Sequence, residues 1–254
     1  MRIITLFNLK GGVAKTTSAV NLGAALAKLG KKCLLIDLDP QGDLSESTGY
    51  GKPPEKAITS YEVLKGSNIN LGIKKGLYDV LPADSRLSAA ELELVDAKRR
   101  NYLLKDAIGA LDAEYDYIII DPQASLNIIT IMALTASTEV IIPVQAQYLP
   151  LKGVAYLRDT INIVRARFNK ALEIGGIILT FYHSTYSLDN DVLEALEQAF
   201  PNKVFKTKIS NNTKVAQAPS HGKDIFAYSP KSNGAKQYLE LAGEVIEQET
   251  TRER

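Results

Sequence analysis

Apolar positions along the chain fall into two alternating patterns. Short runs rich in β-branched residues, RIITLFN (2–8), CLLIDLD (33–39), YIIID (117–121), EVIIPV (139–144) and GIILTF (176–181), are apolar almost throughout. Strands that read this way are covered on both faces. Between them lie longer segments of helical period. Ala19, Leu22, Leu26 and Leu29 form one stripe, with Gly30 as its C-terminal stop. Val154, Leu157, Ile161, Val164 and Phe168 form a second, and Tyr238, Leu241, Ala242 and Val245 a third. This alternation predicts a three-layer α/β fold, a mostly parallel β-sheet flanked by helices. The stretch from Gly49 to Gly76, with its glycines, prolines and weak period, reads as an excursion from the sheet. One domain over 1–254 is expected, with 249–254 as a frayed tail.

Composition narrows the function classes. The chain has 254 residues, 45% apolar and 23% charged, the profile of an ordinary globular protein. A net charge of +1 gives no global attraction to nucleic acid, so such binding needs a local patch. The single cysteine, Cys33, lies in an apolar run, which argues against a disulfide framework or cysteine metal cluster and fits a reducing cytoplasm. No run has signal-peptide character or membrane-spanning length, and the polar C-terminal EVIEQETTRER is a poor membrane anchor. His183 and His221 have no metal-ligand spacing, and AKRRN at 97–101 reads as a solvated helix face.

The chemistry concentrates in FNLKGGVAKTTSAVNL (7–22), between the first strand and the first helix. That context gives a glycine-rich loop its meaning. Gly11 and Gly12 permit a tight bend that brings N–H groups near an anion. The helix starting near Lys15 adds its positive dipole end. Lys15 is placed to reach terminal phosphates, the Thr16 hydroxyl to bind Mg²⁺, and Thr17 to cap the loop near the α-phosphate. CLLIDLDPQGD ends a buried strand with Asp37 and Asp39 at the edge where α/β sheets bind ligands. YDYIIIDPQASLN ends another with Asp121.

An ordinary phosphate loop, GxxxxGK[ST], requires glycine where this chain has Leu9 and Ala14. KGGVAKT fits KGGxxK[ST], and here the sequence resembles the deviant Walker A ATPases of the ParA/Soj/MinD family, the ParA/Soj branch most closely. The resemblance runs from Met1 to about Ile246. It implies a P-loop NTPase with ATP and Mg²⁺ as cofactors, its nucleotide held by Lys10, Gly11, Gly12, Val13, Ala14, Lys15, Thr16, Thr17 and Pro219. Lys10 would be the signature lysine that reaches the nucleotide of the other subunit, making a homodimer depend on ATP. Asp39 would orient the attacking water and support the Mg²⁺ shell, with Asp37 nearby, and Asp121 would hold a water of that shell. Pro122, Gln123 and Ala124 replace the usual family residues after Asp121. Ala14 would crowd the loop if it needed a positive φ.

Between residues 203 and 236 stand seven lysines (Lys203, Lys206, Lys208, Lys214, Lys223, Lys231, Lys236) and one acid, Asp224. Such a region suits salt-sensitive phosphate contacts. The segment resembles the part of ParA/Soj relatives that touches DNA, but Ser210, Asn211 and Thr185 stand where arginines and a proline are common, so a weaker, lysine-based patch is expected. The resemblance implies a cytoplasmic, nucleoid-associated ATPase that partitions a plasmid or chromosome. It would bind nonspecific duplex DNA as an ATP dimer and be reset by a ParB-like adaptor. Three alternatives share the fold. One is an ATPase positioning a protein organelle or other cargo, whose membrane-positioning MinD-like form would need a basic amphipathic C-terminal helix; a redox or metal-handling ATPase would need a cysteine pair. A metabolic ATP-dependent enzyme would need an acceptor pocket.

Overall fold

The computed structural model describes residues 1–54, 56–146 and 151–252, without the side chains of 151–155 and 250–252. Six parallel strands form one sheet: β1 (Arg2–Leu6), β2 (Cys33–Leu38), β3 (Asp79–Leu81), β4 (Tyr117–Pro122), β5 (Glu139–Gln145) and β6 (Glu173–Thr180), in the order β3-β2-β4-β1-β5-β6. The five apolar runs are all strands. The three-residue β3 is the addition, too short to carry a period of its own.

Two helices lie together against one face of the sheet. The first, α1 (Lys15–Lys28), follows the glycine loop. Its stripe Ala19, Leu22 and Leu26 is fully buried, whereas Leu29 ends the helix and is exposed, so the stripe closes one turn earlier than its period suggests. The C-terminal helix packs beside it over Asn233–Arg252, with Tyr238, Leu241, Ala242 and Val245 buried. The opposite face is covered by helices over Leu87–Glu93, Leu103–Gly109, Ile128–Ala136 and Leu151–Arg167. In the last of these Leu157, Ile161 and Val164 are buried and Phe168 packs partly against them, while the Val154 side chain lies outside the described residues.

The expected fray from 249 meets helix up to Arg252: Glu249 accepts a hydrogen bond from the Tyr117 hydroxyl, and 253–254 lie outside the described residues. Lower in the same contact, Arg2 donates to both Glu139 carboxylate oxygens, to the Val245 carbonyl and to Gln248. A buried charge is tolerable there because its donors are satisfied. The free edge of β6 is shielded by residues 203–209, whose backbone exchanges hydrogen bonds with Ile177 and Leu179. The order β2-β4-β1 has a functional consequence. It gathers the loops leaving three adjacent strands at one C-terminal edge, where open α/β sheets bind ligands.

Candidate functional site

The glycine loop leaves β1 through Asn8, a buried residue that braces it from two sides. Its amide donates to the Pro143 carbonyl (2.8 Å) and its oxygen accepts from the Lys10 N–H (3.0 Å). Thr180 on β6 donates toward the Val13 carbonyl at 3.2 Å. Gly12 has φ +73°, and Ala14 has φ 61°, ψ 37°, so the alanine does occupy the left-handed region that disfavours a Cβ. Ala14 is also the residue before α1, and its carbonyl accepts the first helical bond, from Ser18 N–H. No side chain caps this helix end. The amides of the first turn therefore face the loop, an anion-ready arrangement. Lys15, Thr16 and Thr17 are half-buried in that turn. Lys10 stands apart, exposed, with Nζ 3.5 Å from Gln145 Oε1.

The carboxylates come from the two strands beside β1. Asp37 and Asp121 are register partners on β2 and β4, and both are essentially inaccessible. Asp37 is fully engaged: one oxygen accepts from Ser45 N–H (2.9 Å) and Ser45 Oγ–H (2.6 Å), the other from Asp39 N–H (3.1 Å). Burial pushes its carboxyl up to about 7, against those donors and with a further push from Asp39. Asp121 is the opposite case. Neither carboxylate oxygen has a hydrogen-bond partner among the described residues. Burial pushes it up to about 8; the Thr16 hydroxyl pulls it back without closing a hydrogen bond, Asp37 and Asp39 raise it, and Lys15 lowers it. A buried carboxyl left without a donor is what a cation site requires, and the hydroxyl of Thr16 and the ammonium of Lys15 approach it. The residues therefore fit a magnesium ion. Asp39 is half-buried just past β2, its Oδ1 accepting from Gln41 N–H (2.9 Å). This Asx turn holds its side chain at the mouth of the site.

Beyond the loop, Ala14 and Thr17 border a small pocket of about 90 Å³ with Phe181, Ile209, Asn212 and Val215. Pro219 does not line it; it lies in the turn Ala218–His221 that follows. The seven lysines are not one surface. Lys203 and Lys206 line a groove with Glu244 and Glu247, Lys208 donates to the Phe205 carbonyl, and Lys236 pairs with Glu240 at 3.8 Å. Burial lowers the Lys208 ammonium. Lys214 lies over the Tyr228 ring, with Lys223 and Lys231 in the neighbouring loops. A stretch that is basic in sequence is thus partly neutralised by acids of the C-terminal helix.

Three braces of the site are absent from the sequence reading: Asn8, Ser45 and Thr180. A polar residue closing the first apolar run was a usable sign for Asn8. Ser45 and Thr180 carry no such sign: Ser45 acts by folding back across a turn onto Asp37, and Thr180 through the Val13 carbonyl, distant along the chain.

Residues 1–174 match the AAA domain family. The sporulation initiation inhibitor protein Soj of Bacillus subtilis is 44% identical over 248 residues, covering 96% of this chain and 98% of that protein. The chromosome partitioning protein ParA of Caulobacter vibrioides is 42% identical over 259 residues, covering 100% and 97%. Among solved structures, a cobyrinic acid a,c-diamide synthase from Mycobacterium smegmatis, with an ATP analogue and magnesium bound, superposes with a TM-score of 0.84 at 34% identity over 97% of this chain and 94% of that one.

Proposed function

The chain belongs to the Soj/ParA family of partitioning ATPases, and from that premise we propose that it is an ATP-dependent DNA-partitioning ATPase. Its ATP–Mg²⁺ form would be a homodimer that binds duplex DNA nonspecifically. A ParB-like adaptor would stimulate hydrolysis and so release it, placing the protein in the cytoplasm at the nucleoid. The observation that carries the reading is the contrast between the two lysines of the loop. Lys15 sits in the first turn of α1, within electrostatic reach of Asp121, while Lys10 projects exposed beside Gln145.

In this reading the backbone amides of Gly11 to Thr17 cradle the phosphates and Lys15 neutralises them. Thr16, with Asp121 and Asp39 through water, would hold magnesium, which supplies charge neutralisation during phosphoryl transfer. Asp39, oriented by its own turn, positions the attacking water and accepts its proton's hydrogen bond. Lys10 serves the nucleotide of the second subunit, the electrostatic role of an arginine finger. Lys236 pairs with Glu240, Lys203 and Lys206 share a groove with Glu244 and Glu247, and burial lowers the Lys208 ammonium, so Lys214, Lys223 and Lys231 are the stronger candidates for DNA phosphates. No helix among the described residues is long and apolar enough to cross a membrane.

The test separates the lysines. Lys15→Ala should abolish ATP binding. Lys10→Ala should bind ATP normally yet fail to dimerise or to bind duplex DNA with ATP–Mg²⁺. A Lys10→Ala protein that dimerises like the parent sinks the reading of Lys10. ATP turnover in the absence of any acceptor molecule distinguishes an ATPase from the synthase activity that names the mycobacterial structure.

A further inference from the structure

The Asp121 carboxylate has no side-chain or backbone donor among the described residues. Its position is therefore set by the main chain on either side. Upstream, β4 is clamped by parallel pairing to β1 and β2. Downstream, only Pro122 separates it from the loop 123–127, and proline contributes no N–H with which to tie that loop back. Within the loop, Ser125 N–H reaches the Gln123 carbonyl (2.9 Å), and Thr130 Oγ–H reaches the Ser125 carbonyl (2.7 Å). Asn127 caps the next helix by accepting from Thr130 N–H at 2.9 Å. These bonds fold the loop on itself and onto its own helix. They do not attach it to the part of the molecule that faces it.

Glu91 makes that attachment. One oxygen, Oε1, accepts from Gln123 Nε2 at 2.8 Å and also from Asn127 Nδ2. The bonds bracket the loop at both ends. Glu91 itself stands on the helix Leu87–Glu93, whose Leu87 and Ala90 are fully buried in the core formed with β2 and β4. The acceptor is thus mounted on a fixed platform, and its charge strengthens both bonds. Gln123 is also one of the residues by which this chain departs from the usual family pattern after the aspartate. We infer that Glu91 is a positioning residue. By gripping Gln123 and Asn127 it holds the loop after β4, and through Pro122 it aims the Asp121 carboxylate.

The inference rests on the ATPase reading, so the experiment keeps the two separable. Full-length wild type, Glu91→Ala, Glu91→Gln and Gln123→Ala are compared in two measurements. The first is amide hydrogen exchange across residues 123–127 in nucleotide-free protein. The second is the magnesium dependence of ATP turnover, with ATP affinity measured alongside. Glu91→Ala should speed exchange in the loop about ten-fold, the loss of a bond or two. It should raise the half-saturating magnesium concentration about ten-fold, the low end for residues that orient metal ligands, with ATP affinity unchanged. Glu91→Gln keeps an acceptor oxygen and should restore most of both; Gln123→Ala should give an intermediate effect. Should Glu91→Ala not fold, the other two variants carry the test. Wild type that fails to bind ATP would overturn the ATPase reading. Normal wild-type binding, with exchange and magnesium midpoint unmoved by the loss of Glu91 or Gln123, would overturn the positioning role alone.

Discussion

Two neighbouring strand ends share a DPQ tripeptide, IDLDPQG on β2 and IIIDPQA on β4; the motif aligns Asp39 with Asp121, whereas the two acids buried side by side are Asp37 and Asp121, with opposite electrostatic outcomes. Asp37 and Asp121 sit opposite each other in the register, equally buried, and burial raises both. Asp37 uses its carboxylate to gather the Asp39–Ser45 turn, satisfying three donors. Asp121 satisfies none among the described residues. The difference separates an acid that shapes a loop from one without a donor among the described residues, an environment suited to a cation. A carboxylate consumed by backbone amides sets the shape of a loop, whereas one held without donors is costly in the empty protein and gains most from a cation.

Replacing Asp37 should have the largest effect on folding. Asp37→Ala strands the Ser45 amide and hydroxyl and the Asp39 amide in the interior. A loss of about 3 kcal/mol is expected in chemical denaturation. A loss below about 1 kcal/mol would mean that those donors find water or other acceptors, and the contrast between the two acids would collapse. Asp121→Asn should act the other way. It should cost little or no stability in the nucleotide-free protein while weakening magnesium-dependent ATP binding at least about ten-fold. Strong destabilisation by this change would show that the carboxylate has a structural partner after all.

The pH dependence sharpens the same point. Both carboxyls have folded-state values raised above their ordinary 3.8. Between 3.8 and the raised values the folded protein keeps protons that the unfolded chain releases. Stability of the nucleotide-free protein from this source is therefore full below about pH 4 and lost as pH rises through about 7 and 8. Under the proposed function magnesium would bind the ionised Asp121 carboxyl, so its stabilising effect should grow over the same range and level off above about pH 8. Thermal melts with and without magnesium and ATP, from pH 6 to pH 9, check this; in Asp121→Asn the growth should largely vanish.

The smallest expected effect is at the loop. Ala14 holds a left-handed backbone, so Ala14→Gly relieves strain but loosens the unfolded chain. The net is a gain of about 0.5 kcal/mol in denaturation. A clear loss of stability would indicate that the alanine methyl contributes packing that outweighs its backbone strain.

Much of this was readable along the chain. Runs such as YIIID and EVIIPV become buried parallel strands because their continuous apolarity suits no half-exposed element. Gly11 to Thr17 form an anion-ready turn because glycine pairs, a helix start and their spacing act locally. The positive φ at Ala14, left conditional by the sequence, is a feature of the folded loop. The strand β3 escaped because three residues carry no period. The acids beside the lysine stretch, Glu240, Glu244 and Glu247, were not legible in the stretch itself, because they come from the C-terminal helix.

The amino-acid sequence by itself determined the strands, the glycine loop, the acids at the strand ends and the family to which they belong. All of these rest on interactions within a few residues, or on patterns that repeat every two or four. Tertiary structure alone decided that Asp37 is spent on folding while Asp121 has no donor among the described residues, and that Lys236 pairs with Glu240. It also decided that Glu91 grips the loop beyond Asp121. Each of those outcomes depends on hydrogen bonds or fields between groups brought together by the sheet order, and their energy is set by burial, a property that no single segment possesses before the chain has folded.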